Sequence, residues 1–316
     1  MRRYVVTGGA GFIGSHLVEM IINSGDFPVV LDKSMDNYHK NLSHLNKEKF
    51  GFICVDLSEP VNSVLERLIQ TSDGVFHLAA QISVQKSFNE FNASSRNNMV
   101  STFNVFDIAF KNRVPVIFAS SAAVYKSKSS KISENHDIDP VSPYGVDKIA
   151  GEMYGKTLSS AFNNPFVSFR FFNIYGERQD ASSPYSGVIS KFINMALEGK
   201  PLTIFGDGKQ TRDFVYVSDV VSTMYFTMDN LSRDDRMMSE TFNICTGNST
   251  TILELAILIN KLVRENKCDI KFEKPLVGDI FASLGDPGKL NNFIKPFGVS
   301  ILEGLENTIN WYKENQ

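Results

Sequence analysis

A glycine-rich turn near the amino terminus constrains the fold of this chain more than any other feature. The sequence Thr-Gly-Gly-Ala-Gly-Phe-Ile-Gly at residues 7–14 follows a short apolar run and opens a helical pattern at 12–23. Glycines at positions 8, 11 and 14 permit a tight turn and a close approach of the backbone to a pyrophosphate, while the helix amino terminus offers free N–H groups. The turn therefore predicts a strand–helix unit that holds a dinucleotide.

Short apolar runs alternate with helical patterns through the first half of the chain. The runs lie at 4–6, 29–31, 52–55, 74–78, 114–119 and 167–171. Such alternation is typical of βαβ units, in which helices cover both faces of a parallel sheet. We therefore expect an α/β fold with a Rossmann-type, doubly wound parallel sheet of at least six strands.

The pattern loosens after Phe172, where a loop containing Gly and Ser follows. We expect a dinucleotide-binding domain at 1–172 and a smaller carboxy-terminal α/β substrate domain at 173–316. Residues 212–245, and in particular the strand-like stretch 213–216, are expected to return to the first sheet. Two helices of the second domain begin with predicted capping boxes, which pair Thr251 with Glu254 and Ser300 with Glu303.

Composition argues against several classes of protein. A chain of 316 residues with 42% hydrophobic residues can bury one large core and a smaller one. A net charge of −3 gives no field that collects nucleic acid, and no apolar run is long enough for a membrane helix. Cys54, Cys245 and Cys268 lie far apart without metal-ligand spacing, so we expect no disulfide, no metal site and a reducing, cytoplasmic location.

An acidic residue closes the second strand of the predicted sheet. Asp32 lies 18 residues beyond Gly14. A carboxylate at that point accepts hydrogen bonds from the adenosine ribose and repels a 2′-phosphate, which favours NAD over NADP. The neighbouring Lys33 weakens this preference slightly.

Two further segments follow the carboxyl ends of predicted strands, where open α/β sheets bind ligands. Asp56 ends the third strand and is predicted either to meet the adenine edge or to cap a helix before Pro60. Ala-Ala-Gln at 79–81 follows the fourth strand and either lines the dinucleotide or allows close packing. Their position favours the cofactor in both cases.

A Ser-Tyr-Lys set provides candidates for proton transfer. Ser121 ends the fifth strand, and Tyr144 and Lys148, four residues apart, share one face of the following helix. A phenol has a pKa near ~10 in water, and a nearby ammonium with an oxidised nicotinamide ring is expected to lower it toward the range of a useful base. Ser121 would orient the oxygen that is oxidised. A Tyr-x-x-x-Lys spacing alone is usually a surface pair, but the glycine turn and Asp32 favour the catalytic interpretation.

These features together resemble the extended short-chain dehydrogenases. The stretch Arg-Phe-Phe-Asn-Ile-Tyr-Gly-Glu-Arg-Gln-Asp at 170–180, with Ser-Pro-Tyr-Ser-Gly-Val-Ile at 183–189, is similar to UDP-glucose and UDP-N-acetylglucosamine 4-epimerases, and the likeness runs essentially end to end. The resemblance implies that Tyr144, Lys148 and Ser121 are catalytic. It implies an NAD site formed by Gly8, Gly11, Phe12, Ile13, Gly14, Asp32, Lys33, Asp56, Leu57, Leu78, Ala79, Ala80, Gln81, Asn98, Ser120, Tyr144, Lys148 and Phe171.

The resemblance also implies a site for a UDP-sugar. Arg212 is the candidate for the diphosphate charge, and its alternative is a salt bridge with Asp213 or Asp219. The full set implied for the substrate is Ser83, Ser121, Ala122, Ala123, Tyr144, Asn173, Val188, Phe205, Arg212, Asp279 and Ser283. By the same likeness, helices near 100–111 and 144–162 would pair with a second subunit as a four-helix bundle.

The chain departs from the family pattern in two places. Related epimerases often place a second diphosphate arginine just before a Gly-Asp pair, whereas this chain has Leu-Val-Gly-Asp at 276–279, and Phe281 fills another position that is often basic. Ser283 stands where a bulky aromatic gates the sugar pocket, which would leave room for a 2-acetamido group.

Relatives share removal of the C4 hydrogen as hydride and then diverge, because nearby acids decide the fate of the 4-keto sugar. Dehydratases carry an Asp-Glu pair and decarboxylases a Glu just after the active-site Ser or Thr, where this chain has Ala122 and Ala123. We therefore expect C4 epimerisation with the cofactor retained. A UDP-glucuronate 4-epimerase, and a non-catalytic protein that senses NAD or a nucleotide sugar, remain the alternatives.

Overall fold

A computed structural model describes residues 1–126, 130–181, 187–231, 239–263, 268–275, 281–294 and 298–315. The chain divides into two compact units. Unit 1 comprises Met1–Lys126, Asp137–Phe171 and Val221–Phe242, and unit 2 comprises Ser127–His136, Phe172–Val220 and Asn243–Gln316.

Unit 1 is built on a seven-stranded sheet. In spatial order its strands are β11 (Ser239–Ile244), β6 (Phe166–Phe171), β5 (Val116–Ser121), β4 (Gly74–His77), β1 (Arg3–Thr7), β2 (Phe27–Asp32) and β3 (Gly51–Cys54). The strands from β3 to β6 pair in parallel. The strand order reverses beside β1, which is the arrangement of a Rossmann sheet. The predicted α/β, doubly wound architecture is confirmed.

Helices connect these strands and bury their apolar faces on the sheet. They are α1 (Phe12–Asn23), α2 (Met35–Asn41), α3 (Ser63–Gln70), α4 (Val84–Asn89), α5 (Phe91–Lys111) and α6 (Pro143–Phe162), and the chain enters unit 1 again within α8 (Val217–Leu231). On one face of the sheet, Phe106 of α5 lies edge-on to Phe110, Phe118 and Phe166, with ring centroids 5.5–5.7 Å apart. Such offset aromatic contacts stabilise beyond the area they bury.

Two glycines allow α6 to lie close to the sheet. A Cβ atom added at Gly151 would lie 2.5 Å from the ring of Phe118, and one at Gly155 would overlap the ring of Phe166. The helix begins where Ser142 accepts a hydrogen bond from the Gly145 N–H, 3.1 Å away. The two glycines lie in the middle of α6, so they allow that part of the helix to pack against Phe118 of β5 and Phe166 of β6.

Unit 2 contains short sheets and helices. The strands are β7 (Asn173–Tyr175), β8 (Leu202–Phe205), β9 (Thr211–Arg212), β10 (Phe214–Tyr216), β12 (Thr250–Thr251), β13 (Ile270–Glu273) and β14 (Ala282–Ser283). The helices are α7 (Val188–Leu197), α9 (Ile252–Val263), α10 (Gly288–Asn291) and α11 (Ile301–Glu314). The predicted capping box of α9 is confirmed, because Thr251 accepts from the Glu254 N–H at 3.1 Å and its own N–H donates to the Glu254 carboxylate at 2.9 Å. At α11 Ser300 is the predicted N-cap and accepts from the Glu303 N–H at 3.2 Å.

Of the residues 212–245 that were predicted to return to the first sheet, Val221–Phe242 belongs to unit 1. The stretch 213–216 does not return, so that part of the prediction was wrong. It forms β10, which pairs in parallel with β7, and β11 is the strand that lies beside β6. The reason is the buried carboxylate of Asp213, which accepts hydrogen bonds from Thr246, Gly247 and Gly285 and holds the segment within unit 2. In the ranges that the structure describes, no helix combines the length and apolarity needed to cross a bilayer.

Candidate active site

The glycine turn of unit 1 has the shape of a cradle for an anion. Gly8 adopts a φ of +67°, and a Cβ there would lie 2.8 Å from the Ala79 nitrogen. A Cβ on Gly14 would overlap the Gly8 carbonyl oxygen. Within the described residues no side chain caps α1, which follows Gly11, and its first turn has no acidic residue. These features fit a pyrophosphate placed against the helix amino terminus.

Asp32 at the end of β2 ties the turn to the sheet. Its Oδ2 accepts from the Ala10 N–H at 3.0 Å and its Oδ1 from the Ser34 N–H at 2.9 Å. A carboxylate has about four acceptor sites, so two remain for ribose hydroxyls. The position fits the expected preference for NAD.

Lys33 is held by neighbours at the same edge of the sheet. Its Nζ donates to Asp56 Oδ2 at 3.1 Å and to Asn97 Oδ1 at 2.9 Å. The other Asp56 oxygen accepts from the Ser58 N–H and hydroxyl, and Asn62, rather than Asp56, caps the following helix α3. Asp56 therefore stabilises a turn and does not cap a helix. The contact of Asp56 with adenine stays a prediction.

The loop after β4 is fixed by two polar side chains. The Thr7 hydroxyl oxygen accepts from the Leu78 and Ala79 N–H groups at 3.1 and 3.2 Å. The amide of Asn98 accepts from the Gln81 N–H at 2.7 Å and donates to the Gln81 carbonyl at 3.2 Å. The structure thus brings the predicted residues 78–81 and Asn98 together with the glycine turn.

His77 is a buried residue of this site that sequence reasoning missed. Its Nδ1 lies 2.8 Å from the Thr7 hydroxyl and its Nε2 lies 3.1 Å from the Thr102 hydroxyl. Because Thr7 accepts two N–H bonds and Thr102 donates to the Asn98 carbonyl, the proton of the imidazole belongs on Nε2. Burial, together with the charge of Lys148, lowers the pKa of His77 to about 3. A polar residue in an otherwise apolar strand was the available signal.

Ser121, Tyr144 and Lys148 meet at the carboxyl end of β5. Tyr144, the second residue of α6, is 8% exposed, and the Ser121 side chain acts on its hydroxyl by lowering the pKa. Lys148 donates to the Ala119 carbonyl at 2.7 Å, and its Nζ lies 5.7 Å from the centroid of the Tyr144 ring. The structure therefore assembles the predicted catalytic set in one buried site.

Burial is the largest influence on the pKa values of Tyr144 and Lys148. Burial raises the pKa of Tyr144 to about 12, with the Ser121 hydrogen bond lowering it and the charge of Asp147 raising it. Burial also lowers the pKa of Lys148 to about 8, against the opposing effect of Asp147 and Glu152. Desolvation thus dominates in the folded chain, where the ammonium of Lys148 is bound to the Ala119 carbonyl. The lowering of the phenol pKa by Lys148 together with an oxidised nicotinamide ring stays a prediction.

A buried ion pair lies behind the site and was also missed. Glu152 of α6 accepts from Arg170 Nε at 2.9 Å and from Nη2 at 2.7 Å, and Ser120 donates to the same carboxylate. Arg170 also donates to the Tyr125 hydroxyl at 2.6 Å. The predicted NAD contact Ser120 is thus engaged by Glu152.

Other residues predicted from the resemblance have structural roles. Leu57 belongs to the buried core of unit 1, and Ser83 caps α4 by accepting from the Lys86 N–H. Ala122 and Ala123 open a short 3-10 helix after β5, while Phe171 pairs in register with Ser121. The contacts of these residues with a ligand stay predictions.

The predicted substrate residues of unit 2 are partly brought together. Arg212 of β9 pairs in register with Ser283 of β14, and Asn173 donates through its amide to the Asp213 carbonyl at 3.1 Å. Val188 begins α7 and Phe205 ends β8. Asp279 and the Leu-Val-Gly preceding it lie outside the described residues.

Known proteins resemble the chain along its whole length. The family model described as NAD dependent epimerase/dehydratase family matches residues 4–245. A putative UDP-glucose 4-epimerase of Methanocaldococcus jannaschii is 33% identical over 98% of both chains. A UDP-N-acetyl-alpha-D-glucosaminuronate decarboxylase of Bacillus cytotoxicus is 34% identical over 99% of this chain and 98% of its own.

A solved structure is also similar to the chain over its whole length. The UDP-N-acetylglucosamine 4-epimerase of Methanobrevibacter ruminantium M1, in complex with UDP-N-acetylmuramic acid, superposes with a TM-score of 0.92 at 34% identity and covers 100% of this chain and 99% of its own. The resemblance inferred from the motifs is confirmed, as is NAD as the cofactor. The chain belongs to the NAD dependent epimerase/dehydratase family, among the extended short-chain dehydrogenases.

Proposed function

We propose that the chain is an isomerase that inverts C4 of a UDP-sugar. The observation that carries the proposal is the buried Tyr144 hydroxyl beside Ser121 and Lys148, with alanines at 122 and 123 where an acid would divert the keto sugar. In this proposal Tyr144 takes the proton of the C4 hydroxyl and Ser121 orients that oxygen. The positively charged Nζ of Lys148 lies 5.7 Å from the centroid of the Tyr144 ring.

The cofactor fits the residues of unit 1. The glycine turn would hold the pyrophosphate, Asp32 the adenosine ribose and Lys148 the nicotinamide ribose. NAD, when bound, supplies an acceptor for the C4 hydride, which it later returns, and a positive charge that favours the phenolate of Tyr144. We assign NAD to unit 1 and the nucleotide sugar to unit 2, in keeping with the domains predicted at 1–172 and 173–316.

We favour epimerisation because residues 122 and 123 are alanines, where relatives with other reactions carry an acid. The relatives include a decarboxylase, so the family alone leaves the reaction open. Of the carboxylates near Tyr144, Glu152 is paired with Arg170 and Asp147 is bound by Asn98. With no acid at 122 or 123 to expel water or hold a carboxyl group, rotation of the 4-keto sugar and hydride return to its other face complete the reaction.

The sugar is proposed to be UDP-glucose or UDP-galactose, and also the N-acetylated pair. Ser283 has a small side chain and lies in register with Arg212, the candidate for the diphosphate. A solved relative is a UDP-N-acetylglucosamine 4-epimerase, which supports an acetamido group at this position. UDP-glucuronate remains the second candidate, because nothing in the described site opposes a carboxylate at C6.

Incubation of the purified protein with each UDP-sugar tests the proposal. We expect UDP-N-acetylglucosamine and UDP-glucose to be converted to their C4 epimers without net reduction of NAD. A 4-keto-6-deoxy product or a pentose would contradict epimerisation. Retention of NAD with no sugar converted would favour the sensing alternative.

We also propose a homodimer that pairs α5 and α6 with the same helices of a second copy. Large apolar side chains are exposed along these helices, among them Phe91, Phe103, Val146, Met153 and Tyr154. The rings of Phe103 and Tyr154 meet edge-on at 5.1 Å, which joins the two helices into one apolar surface. Sedimentation should give a dimer, and Met153→Glu should give a monomer; a monomeric parent protein would contradict this.

A further inference from the structure

The proton-transfer site contains a second buried acid with no role in the proposed chemistry. Asp147 directly precedes Lys148 in α6 and is 7% exposed. A carboxylate this deep is unfavourable unless it is hydrogen-bonded or compensated by charge. Its presence beside Tyr144 and Lys148 therefore requires an explanation.

Asp147 connects three elements through one amide. Its Oδ2 accepts from Asn98 Nδ2 at 3.1 Å, and the same Asn98 amide holds both the N–H and the carbonyl of Gln81. Helix α6 is thereby joined to α5 and to the loop after β4. The helix that carries the catalytic pair is held in register with the loop predicted to line NAD.

Several elements place charged or polar groups around Tyr144 and Lys148, and Asp147 differs from the others in its partners. From α6 itself Asp147 and Glu152 face the site, but Glu152 is bound on both oxygens by Arg170 of β6. From β4 comes His77, which is neutral because burial lowers its pKa, and β5 contributes the uncharged Ser121. Asp147 receives its hydrogen bond from the neutral amide of Asn98 instead of an arginine. Burial raises the pKa of Asp147, and the charge of Lys148 opposes that rise.

We propose that Asp147 is a positioning residue whose carboxylate fixes α6 against Asn98 and whose charge opposes ionisation of Tyr144 while favouring the ammonium of Lys148. The inference deepens the proposed function and rests on it for the roles of the catalytic pair. A negative charge beside a phenol stabilises its neutral form and thus raises its pKa, and beside an amine it stabilises the ammonium and raises that pKa as well. Asp147 raises the pKa of both Tyr144 and Lys148.

The test is Asp147→Asn, which keeps the shape and an acceptor for Asn98 but removes the charge. Both the acid and the alkaline limbs of the pH profile of turnover should move to lower pH, by about one unit, the scale on which a neighbouring charge moves a pKa. A merely structural lesion would lower turnover without moving the limbs. Asp147→Glu keeps the charge and should leave both limbs in place even where turnover falls.

A matched control is Asp107→Asn, which removes the same charge from the exposed surface of α5, where Asp107 pairs with Lys111. Its profile should equal that of the parent protein. Limbs that stay in place in Asp147→Asn, or that move equally in Asp147→Glu, would overturn the proposal.

Ultraviolet titration of tyrosinate provides a readout that does not require turnover. Each protein is compared with the same chain carrying Tyr144→Phe, so that the difference reports Tyr144 alone. The midpoint should fall in Asp147→Asn by about the same unit, and an unchanged midpoint would refute the role of Asp147. If the parent protein converts no UDP-sugar, the proposed function fails while this titration still decides the inference.

Discussion

Replacing Glu152 with Gln is expected to destabilise the fold severely, because it removes the carboxylate charge that pairs with the buried guanidinium of Arg170. Glu152 and Arg170 are 1% and 4% exposed and share two hydrogen bonds of 2.9 and 2.7 Å. Breaking a buried pair by removing one partner costs about 3–5 kcal/mol. The lower end applies here, because the amide oxygen of Gln still accepts one bond from Arg170. A loss of about 3 kcal/mol is a large part of a total stability of roughly 5–15 kcal/mol.

The assay is urea unfolding followed by near-ultraviolet circular dichroism. Asp107→Asn is the control, since it breaks an exposed pair on α5 that is worth about 0.3–0.5 kcal/mol. Adding Arg170→Met to Glu152→Gln removes the buried positive charge as well and should recover part of the loss. A Glu152→Gln protein as stable as the control would refute the reasoning.

Three further results are expected. Tyr144→Phe should lower turnover about a hundredfold or more, the usual scale for loss of a positioned acid–base group, and near-normal turnover would remove Tyr144 from the mechanism. Gly14→Ala should abolish NAD retention in calorimetry, because the added Cβ overlaps the Gly8 carbonyl oxygen; unchanged affinity would mean that the turn is not the NAD site. Burial lowers the pKa of Lys148 to about 8, so Lys148 carries its charge below that pH and loses it above. Turnover should therefore decline as pH rises through this value. A flat alkaline profile would show that the charge of Lys148 is not needed.

The sequence was sufficient for elements whose pattern is local. The glycine turn, the alternating apolar runs and the Ser-Tyr-Lys set are each readable within a few residues, and the parallel sheet follows from their order along the chain. The capping box of α9 and the N-cap of α11 were readable for the same reason, since Ser or Thr and Glu lie three residues apart.

Features that depend on long-range contacts could not be read in this way. The strand at 214–216 has the same apolar pattern as a strand of the large sheet, and its place beside β7 depends on the contacts of Asp213 with residues 246, 247 and 285. The raised pKa of Tyr144 depends on how deeply α6 is buried. Gly151 and Gly155 permit that burial, but their presence in the sequence does not predict it. His77 and Glu152 owe their roles to partners on other elements.

Isotope tracing tests the central claim, that one hydrogen leaves C4 and returns to it within the same site. UDP-N-acetylglucosamine and UDP-glucose labelled with deuterium at C4 are each incubated to equilibrium with the purified protein in ordinary water, and the products are analysed by mass spectrometry and proton resonance. We predict that the C4 epimer keeps its deuterium, because the hydride is held by the bound cofactor and never exchanges with solvent. An epimer with protium at C4 would contradict the account.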